Sequence, residues 1–320
     1  MLTRKHQTRR SAWLAALAIL AIWPLVSCFS LAAHAAPIAV TEVAPGVYVH
    51  QGIVSLFSPR TGGDISNCGF VVGAEAVAVI DTGGSHAVGS GLKGAIRKVT
   101  DKPIRYVINT HMHPDHIFGD AAFAADNPQF IGHKKLGRAL AARAERYVSA
   151  NRELMGEDAF AGSRVVPPTV AVDGTMELDL GGRKLVLEAH PTAHTDNDLT
   201  VLDAASGTLF MGDLLFSVHT PAIDGSIRGW LALLDKMEAR PVARVVPGHG
   251  PASMPWPAAA KPLIRYLSTV AGDVRKAIKA GRTLAEAAST AGLSEKDAWE
   301  LFEAFHARNV SAAFAELEWE

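Results

Sequence analysis

The chain has 320 residues, of which 48% are hydrophobic and 28 are glycine. This length is enough for one large two-layer domain, or two small ones, with a sizeable buried core. The formal net charge is −1, from 31 basic and 32 acidic residues, which argues against a nucleic-acid partner because binding to phosphates depends on an excess of Lys and Arg.

The N-terminus has the organisation of a signal peptide. Basic residues at positions 4, 5, 9 and 10 precede an apolar run over 12–26, and small residues follow as far as Ala33-His34-Ala35. The apolar run has about 15 residues, which is short for a membrane-spanning helix. We therefore assign 1–35 to a signal peptide, and expect export to the periplasm of a mature chain with 27 basic and 32 acidic residues, a formal charge of −5.

Processing of this leader has an alternative. Leu25-Val26-Ser27-Cys28 resembles a bacterial lipobox, in which Cys28 would carry a lipid anchor instead. Arg9-Arg10 is compatible with twin-arginine export, and the general secretory route fits as well. In every case Cys68 is the remaining free thiol, so no internal disulfide is expected.

Strand and helix patterns alternate along the mature chain. The opening strands are predicted at 47–49, 70–72 and 76–80, followed by a helix over 86–99 and a strand over 104–108. The later predictions are a strand at 129–131, a helix at 134–154, and strands at 170–172, 176–180, 184–188, 199–202, 208–211 and 243–246.

The end of the chain is helical in composition. Residues 250–262 hold four prolines, and the clearest helical patterns after them are 284–291 and 295–307. These features predict a catalytic domain over 36–256 and a helical C-terminal extension over 257–320. The extension would serve for packing or for contacts in a dimer, so the sequence leaves the oligomeric state open.

Five apolar runs each end in metal-type or acidic residues. The densest cluster, His111-Met112-His113-Pro114-Asp115-His116, follows the strand at 104–108. The other four runs lead to Asp81, to His190 and His194, to Asp213, and to His249. Because strand ends at one edge of an α/β scaffold gather residues from distant parts of the chain, we expect these side chains to converge.

The cluster H-x-H-x-D-H indicates a metal site. It places three imidazoles and a carboxylate within six residues, a density that neither a core nor a solvated polar loop requires. Neutral imidazole binds zinc at about 2.0–2.1 Å, and carboxylate oxygen suits the same ion. Burial of so many titratable groups without a cation would be costly.

Between about 43 and 251 the chain resembles the metallo-β-lactamase superfamily. The motifs that carry the resemblance occur in the family's order: Asp81 in D-T-G, the H-x-H-x-D-H segment, His194 in A-H-T, Asp213 in G-D and His249 in P-G-H-G. The resemblance implies an α/β fold, a four-layer αβ/βα sandwich with the metal site at one edge.

The resemblance also implies a ligand set for two zinc ions. His111, His113 and His194 would bind one ion, Asp115, His116 and His249 the other, and Asp213 would bridge them. His190 is a rival to His194, but it precedes Pro191 and lacks the Thr-Asp-Asn that follows His194. Asp81 would fix the loop that carries the ligands, with a simple turn aspartate as the alternative.

This ligand set points to hydrolysis. Two cations that share a water lower its pKa from 15.7 to near 7, so a hydroxide held by the metals would be the nucleophile, with Asp115 orienting it. The implied substrates are an ester, thioester, lactone or related compound. Asp213 stands where class B β-lactamases generally have Cys or Ser, which argues against β-lactamase activity. We keep that activity as an alternative. A di-iron redox protein and a non-catalytic metal-binding or cofactor-handling protein are further alternatives.

Within the superfamily, the chain looks most like the periplasmic zinc metallohydrolases of quinoprotein dehydrogenase relay systems. This narrower resemblance rests on the leader and on three segments, 67–72, 109–116 and 224–230. It implies a functional link to a periplasmic quinoprotein dehydrogenase and no particular substrate. We also expect 53–64 to form a flap over the site, or else an ordinary hairpin loop, and His219 to contact substrate.

Overall fold

The computed structural model of the chain describes residues 1–2 and 37–320. The predicted signal peptide and the alternative lipid anchor at Cys28 lie outside the described residues. Residues 37–320 belong to one compact unit. Within the described part of the chain, no helix combines the length and the apolar character needed to cross a bilayer.

Two β-sheets form the centre of this unit. The first has seven strands in chain order, antiparallel from β1 to β4 and parallel from β4 to β7. These strands are β1 Thr41–Ala44, β2 Val47–His50, β3 Cys68–Val72, β4 Val77–Ile80, β5 Ile104–Ile108, β6 Gln129–His133 and β7 Val170–Val172.

The second sheet has five strands in the order β12-β11-β10-β9-β8, and β12 runs parallel to β11 while the other pairs are antiparallel. Its strands are β8 Thr175–Asp179, β9 Lys184–Ala189, β10 Leu199–Asp203, β11 Thr208–Phe216 and β12 Arg244–His249. The helices are α1 His86–Val99, α2 Pro114–Ile117, α3 Leu136–Met155, α4 Glu157–Phe160, α5 Ile227–Glu238, α6 Lys261–Lys279, α7 Leu284–Ala288 and α8 Phe302–Leu317.

Alternation along the strands explains the layers, because successive side chains point to opposite faces of a sheet. On β4, Ala78 and Ile80 pack between the two sheets, against Phe210 and Val246 of the second sheet. Val77 and Val79 point the other way and pack against α1. The two faces of one strand thus contribute to two separate hydrophobic cores.

The second sheet repeats this arrangement. Leu209 and Met211 of β11 and Val245 of β12 face away from the first sheet and pack against α5, α6 and α8. The order of layers is therefore helix, sheet, sheet, helix, and the predicted four-layer αβ/βα sandwich is confirmed.

The C-terminal helices pack against the sandwich. Leu263 and Leu267 of α6 and Val310 of α8 are fully buried in the same cluster as Trp230 of α5. The helices after residue 257 thus share a hydrophobic core with β11 and α5. The division at 256/257 stays a prediction, and the extension is part of one compact unit.

The predicted helix over 295–307 was wrong as a single element. A 3₁₀ helix over Leu293–Ala298 and α8 are separated by Trp299, Glu300 and Leu301, and Leu301 has the left-handed φ of +60°. Glu300 forms a short β-bridge there: its N–H donates to Val218 O at 2.8 Å, and its carbonyl accepts from Thr220 N at 2.9 Å. This tertiary pairing with the loop after β11 overrides the local helical pattern.

Candidate metal centre

The predicted site residues meet at one edge of the sandwich. β4 ends immediately before Asp81, β5 ends three residues before His111, and β12 ends at His249. Asp213 lies within β11, next to β12 in the sheet. Gly248 allows the close approach of these two strands, since a Cβ atom at that position would collide with the carboxylate of Asp213.

The side chains form two candidate ligand groups. Within each group, all ligand atoms lie within 4.8 Å of one another. One group holds His111, His113, His194 and Asp213, and the other holds Asp115, His116 and His249. The two groups contain the same residues as the predicted sets, except that Asp213, which was predicted to bridge the two ions, falls in the first group. Asp213 Oδ2 lies 3.5 Å from Nε2 of both His194 and His249, so its carboxylate sits between the groups. The assignment of these residues as ligands stays a prediction.

Each of the five histidines has one ring nitrogen that hydrogen-bonds away from the centre. The outward partners are Thr110 Oγ1 for His111, Asp224 Oδ2 for His113, Asp81 Oδ2 for His116, Ala222 O for His194 and Ile65 O for His249, all at 2.7–3.1 Å. Carbonyl and carboxylate oxygens only accept, and the Thr110 hydroxyl already donates to Asp81, so the outward nitrogens carry the protons. The inward nitrogens of neutral rings therefore present lone pairs.

These inward lone pairs call for a cation. His194 Nε2 and His113 Nδ1 lie 3.0 Å apart, and two lone pairs at that distance repel each other unless a positive charge lies between them. His111 Nε2, His116 Nε2 and Asp213 Oδ1 are buried without a hydrogen-bond partner. Buried polar atoms without partners are uncommon, and metal coordination would satisfy all three.

The electrostatics of the cluster point the same way. Burial disfavours a charged His249, but the carboxylates of Asp213 and Asp115 outweigh it and raise the pKa of His249 to about 9. Burial lowers the pKa of His194 to about 3, with Asp213 only partly offsetting it. Burial tends to raise the pKa of Asp213, yet the nearby imidazoles hold it well below its ordinary value. The cluster thus keeps a buried carboxylate ionised and attracts positive charge.

Asp81 supports the cluster from behind. It adopts the left-handed φ of +52° directly after β4. Its Oδ1 accepts from Thr110 N at 2.8 Å, and its Oδ2 accepts from Thr110 Oγ1 at 2.8 Å and from His116 Nδ1 at 2.9 Å. Asp81 therefore fixes both the start of the ligand loop and the ring orientation of His116.

Residues 65–67 tie two ligand loops together. Ser66 Oγ donates to Asp115 O at 2.5 Å, and Asn67 Nδ2 donates to Pro247 O at 2.9 Å. Ile65 supplies the carbonyl that orients His249. Sequence reasoning gave no role to Ile65 or Ser66 and placed Asn67 only in a segment that carries the narrower resemblance, because backbone contacts of this kind leave no pattern of residue types.

Two aspartates near the centre, the half-buried Asp224 and the buried Asp120, were also missed. Asp224 orients His113, although it lies 111 positions away in sequence. Its only signal was a place in the segment 224–230, which was singled out for the family resemblance. Asp120 accepts from Thr82 Oγ1 at 2.8 Å and Asn109 Nδ2 at 3.1 Å, and burial raises its pKa to about 8.

His190 lies outside both ligand groups. Its Nε2 hydrogen-bonds Thr200 Oγ1 at 2.8 Å, and burial lowers its pKa to about 4. Cys68 is a buried free thiol on β3, and burial raises its pKa well above the ordinary value. Neither side chain joins the cluster of candidate ligands.

A cavity of about 220 Å³ opens onto the candidate ligands. Asp115, Asp213 and His249 line its floor, together with His219, whose ring centroid lies 4.7 Å from that of His249. Leu56 and Phe57 of the predicted flap line the wall. The flap closes on itself through the hydrogen bond from Ile53 N to Asp64 O at 3.0 Å, and Gly84 N donates to Gly63 O at 3.0 Å. The cavity therefore combines an apolar wall with a polar floor.

A family model described as the metallo-beta-lactamase superfamily matches residues 61–249. The match covers more than half of the chain and includes all seven candidate ligands. The chain therefore belongs to the metallo-beta-lactamase superfamily. Superfamily members are mostly hydrolases.

Known proteins resemble the chain in part. The linear primary-alkylsulfatase of Pseudomonas sp. (strain ATCC 19151) is 27% identical, in an alignment that covers 55% of this chain and 40% of the relative. The chain thus spans less than half of that relative's length. Among solved structures, a metallo-beta-lactamase from Pontibacter korlensis superposes with a TM-score of 0.59 at 19% identity, covering 72% of this chain and 99% of that chain.

A double mutant of the sec-alkyl sulfatase PisA1 superposes with a TM-score of 0.65 at 14% identity, covering 88% of this chain and 51% of that chain. Identities this low show a shared fold and no more. The narrower resemblance to quinoprotein relay metallohydrolases stays a prediction.

Proposed function

We propose that the chain is a dinuclear zinc hydrolase that cleaves an ester, thioester, lactone or related bond. The observation that carries this proposal is the direction of the five imidazoles: every outward nitrogen is hydrogen-bonded, and the inward nitrogens converge around the carboxylate of Asp213. Histidine and carboxylate donors in this number suit zinc. His111, His113 and His194 would hold one ion, Asp115, His116 and His249 the second, and Asp213 both.

Bound zinc would supply an activated water and polarise the oxygen of the scissile group. The chain's own residues do the positioning. Asp115 lines the cavity floor, so its carboxylate can accept a hydrogen bond from the attacking water and hold that water toward the substrate. Leu56, Phe57 and Phe216 exclude bulk water from the wall of the cavity.

Sulfate esters are a second candidate class. The sequence relative at 27% identity is an alkylsulfatase by its name. The apolar wall formed by Leu56, Phe57, Ile65 and Phe305 is compatible with an alkyl chain. β-Lactam hydrolysis stays the weaker alternative, because Asp213 occupies the position where class B enzymes generally have Cys or Ser.

We also propose that the protein acts after export, in the periplasm, and in functional connection with a quinoprotein dehydrogenase. The support is the basic and apolar pattern of 1–35 and the segments that resemble relay metallohydrolases. Fractionation of cells that produce the full chain would test the location, and recovery in the cytoplasm at full length would contradict it.

The test of the catalytic proposal combines metal content with a substrate panel. We expect about two zinc ions per chain, and turnover of at least one member of a set of esters, thioesters, lactones, alkyl sulfates and cephalosporins. Asp213→Asn should lower activity by more than about 100-fold and reduce bound zinc, because a lost ligand costs more than a lost outer partner.

His190→Gln is the matched control, since this buried histidine lies outside both ligand groups. It should keep the zinc content and at least half of the activity. Equal losses in the two variants would show that the ligand set is wrong, and turnover without any divalent metal would overturn the zinc mechanism.

A further inference from the structure

A second cavity of about 370 Å³ adjoins the candidate metal centre. It shares His113, Pro114 and Arg308 with the cavity that opens onto the ligands. Its other lining residues come mainly from α3, namely Arg143, Arg146, Tyr147, Ala150 and Asn151. The two cavities therefore adjoin along these shared residues, and we refer to the pair as the cleft, with the metal ligands at one end and arginines at the other.

The arginines come from two different helices, α3 and α8. Arg143, Arg146, Tyr147 and Ala150 are spaced at i, i+3, i+4 and i+7, so they lie on one face of α3. Arg308 lies on α8, one turn after Phe305, which lines the central cavity. A face of one helix and a turn of another thus direct positive charge to the same space.

The positive charge in this cavity exceeds the negative charge. Asp224 is the one acidic residue among the lining residues that the structure describes, and it is already engaged with His113 at 3.1 Å and Arg308 at 3.6 Å. Within residues 37–320, neither Arg143 nor Arg146 forms a salt bridge, whereas Arg138 and Arg152 of the same helix each do. Unpaired guanidinium groups in a concave surface attract anions.

We propose that Arg143, Arg146 and Arg308 form a subsite for an oxyanion of the substrate, such as a carboxylate, remote from the bond that is cleaved. The proposal rests on the proposed hydrolytic function of the neighbouring centre. The substrate is then amphiphilic: its apolar part contacts Leu56, Phe57 and Phe305, and its charged end reaches the arginines. Guanidinium binds carboxylate through two parallel hydrogen bonds, which gives the subsite orientation as well as attraction.

Two esters of equal length test the proposal: the mono-p-nitrophenyl ester of glutarate, and p-nitrophenyl valerate, in which a methyl group replaces the remote carboxylate. We expect the wild-type protein to prefer the charged ester in kcat/KM. Arg143→Gln and Arg146→Gln should each reduce that preference by about 2- to 5-fold, and the double variant by about tenfold, as expected for partly exposed ion pairs. The preference should also weaken as salt is raised.

Arg152→Gln is the matched control, because it removes the same charge from the same helix but lies at a different groove. Its preference should equal that of the wild type. Equal rates for the two esters, or a loss of preference in Arg152→Gln as large as in Arg143→Gln, would overturn the subsite while leaving hydrolysis in place.

A binding measurement separates the subsite from the catalytic proposal. Glutarate binding to the metal-free protein, followed by calorimetry, should be weakened about tenfold in the double variant, within the range for two partly exposed ion pairs. If neither ester is cleaved but this difference is found, the subsite is supported and carboxylic-ester hydrolysis fails. If the wild type and the double variant bind glutarate equally, the subsite is contradicted.

Discussion

Asp81 illustrates how residues that are not ligands set the geometry of those that are. One carboxylate holds the backbone and hydroxyl of Thr110 and the ring of His116, and the Thr110 hydroxyl in turn accepts from His111. Histidine ligands commonly need such a partner, which fixes both the tautomer and the ring orientation. The side chain is therefore connected to one residue in each ligand group.

Asp81→Asn tests this role at nearly constant shape. The amide nitrogen cannot accept the hydrogen bonds that Asp81 Oδ2 receives from Thr110 and His116, so the imidazole of His116 loses its orientation. We expect zinc affinity to fall by about 10- to 100-fold with the fold retained. Chelator competition at pH 7 measures this change.

Asp173→Asn serves as its control, since that aspartate is largely exposed and pairs with Lys134, whereas Asp81 holds a candidate ligand and its loop. Its zinc affinity should equal that of the wild type. Unchanged affinity in Asp81→Asn would show that Asp81 is a simple turn residue.

The residue types that bind metal could be recognised from the sequence, whereas their supporting partners could not. His111, His113 and His116 stand in a spacing that few other requirements produce. Asp224, by contrast, is a single aspartate before a glycine, which is typical of a turn. Only the tertiary fold brings it to His113, so no local pattern marks it.

The flap over 53–64 has a base fixed by hydrogen bonds and an apolar tip that lines the cavity. Its base is fixed by the Ile53–Asp64 hydrogen bond and by the contact of Gly63 with Gly84. Leu56 remains 45% exposed while lining the cavity, so a bound substrate would cover it. The hydrogen bonds hold the loop in place, and the apolar tip provides contact area.

Leu56→Ala should therefore weaken substrate binding. We expect kcat/KM to fall by about 3- to 10-fold for substrates with an apolar part, mainly through KM, because the lost methyl groups contact substrate in the ground state and transition state alike. Steady-state kinetics on the substrate found in the panel would measure this effect.

Leu154→Ala is a comparable truncation of an exposed leucine on α3, which does not line the cavity. Its KM should match the wild-type value. A fall in kcat alone for Leu56→Ala would argue against a contact of this kind.

The sequence patterns located many helices and strands, because the hydrophobic periodicity and the flanking turn residues predict the same element there. The predicted helix over 86–99 and the strand over 104–108 coincide with α1 and β5. α5 was missed, although Ser226 caps its first turn by accepting from Gly229 N at 2.9 Å. Glycine in the first turn of a helix weakens the local signal, and burial of Trp230 and Leu234 supplies the stability instead.

At the scale of the whole molecule, the C-terminal helices and the sandwich share one hydrophobic cluster. Leu267 of α6 is completely buried in it, together with Leu209 of β11 and Trp230 of α5. Trp230 in turn packs against the ring of His194, with 5.2 Å between centroids. The cluster is thus continuous from the last helices to a candidate ligand.

Leu267→Ala should lower the free energy of unfolding by about 2–5 kcal/mol, since it leaves a cavity in a closely packed core. Urea denaturation followed by fluorescence should give a single transition at a lower midpoint. Leu284→Ala, at a leucine that is 43% exposed, should change stability by less than about 1 kcal/mol.

Two separate transitions in the wild type, with Leu267→Ala affecting one of them, would show that the extension folds independently. A single transition would be the outcome expected for helices that cannot bury their apolar faces without the sheet.

The short pairing of Glu300 with Val218 and Thr220 joins a late segment of the chain to the loop that carries His219. Immediately beyond it, Phe305 and Arg308 form part of the cleft, while every candidate ligand precedes residue 250. The segment after residue 300 therefore lines the cleft but contributes none of the candidate ligands. Under the proposed function, substitution of Phe305 or Arg308 would diversify the compounds that the protein accepts without any change to the histidine and aspartate cluster.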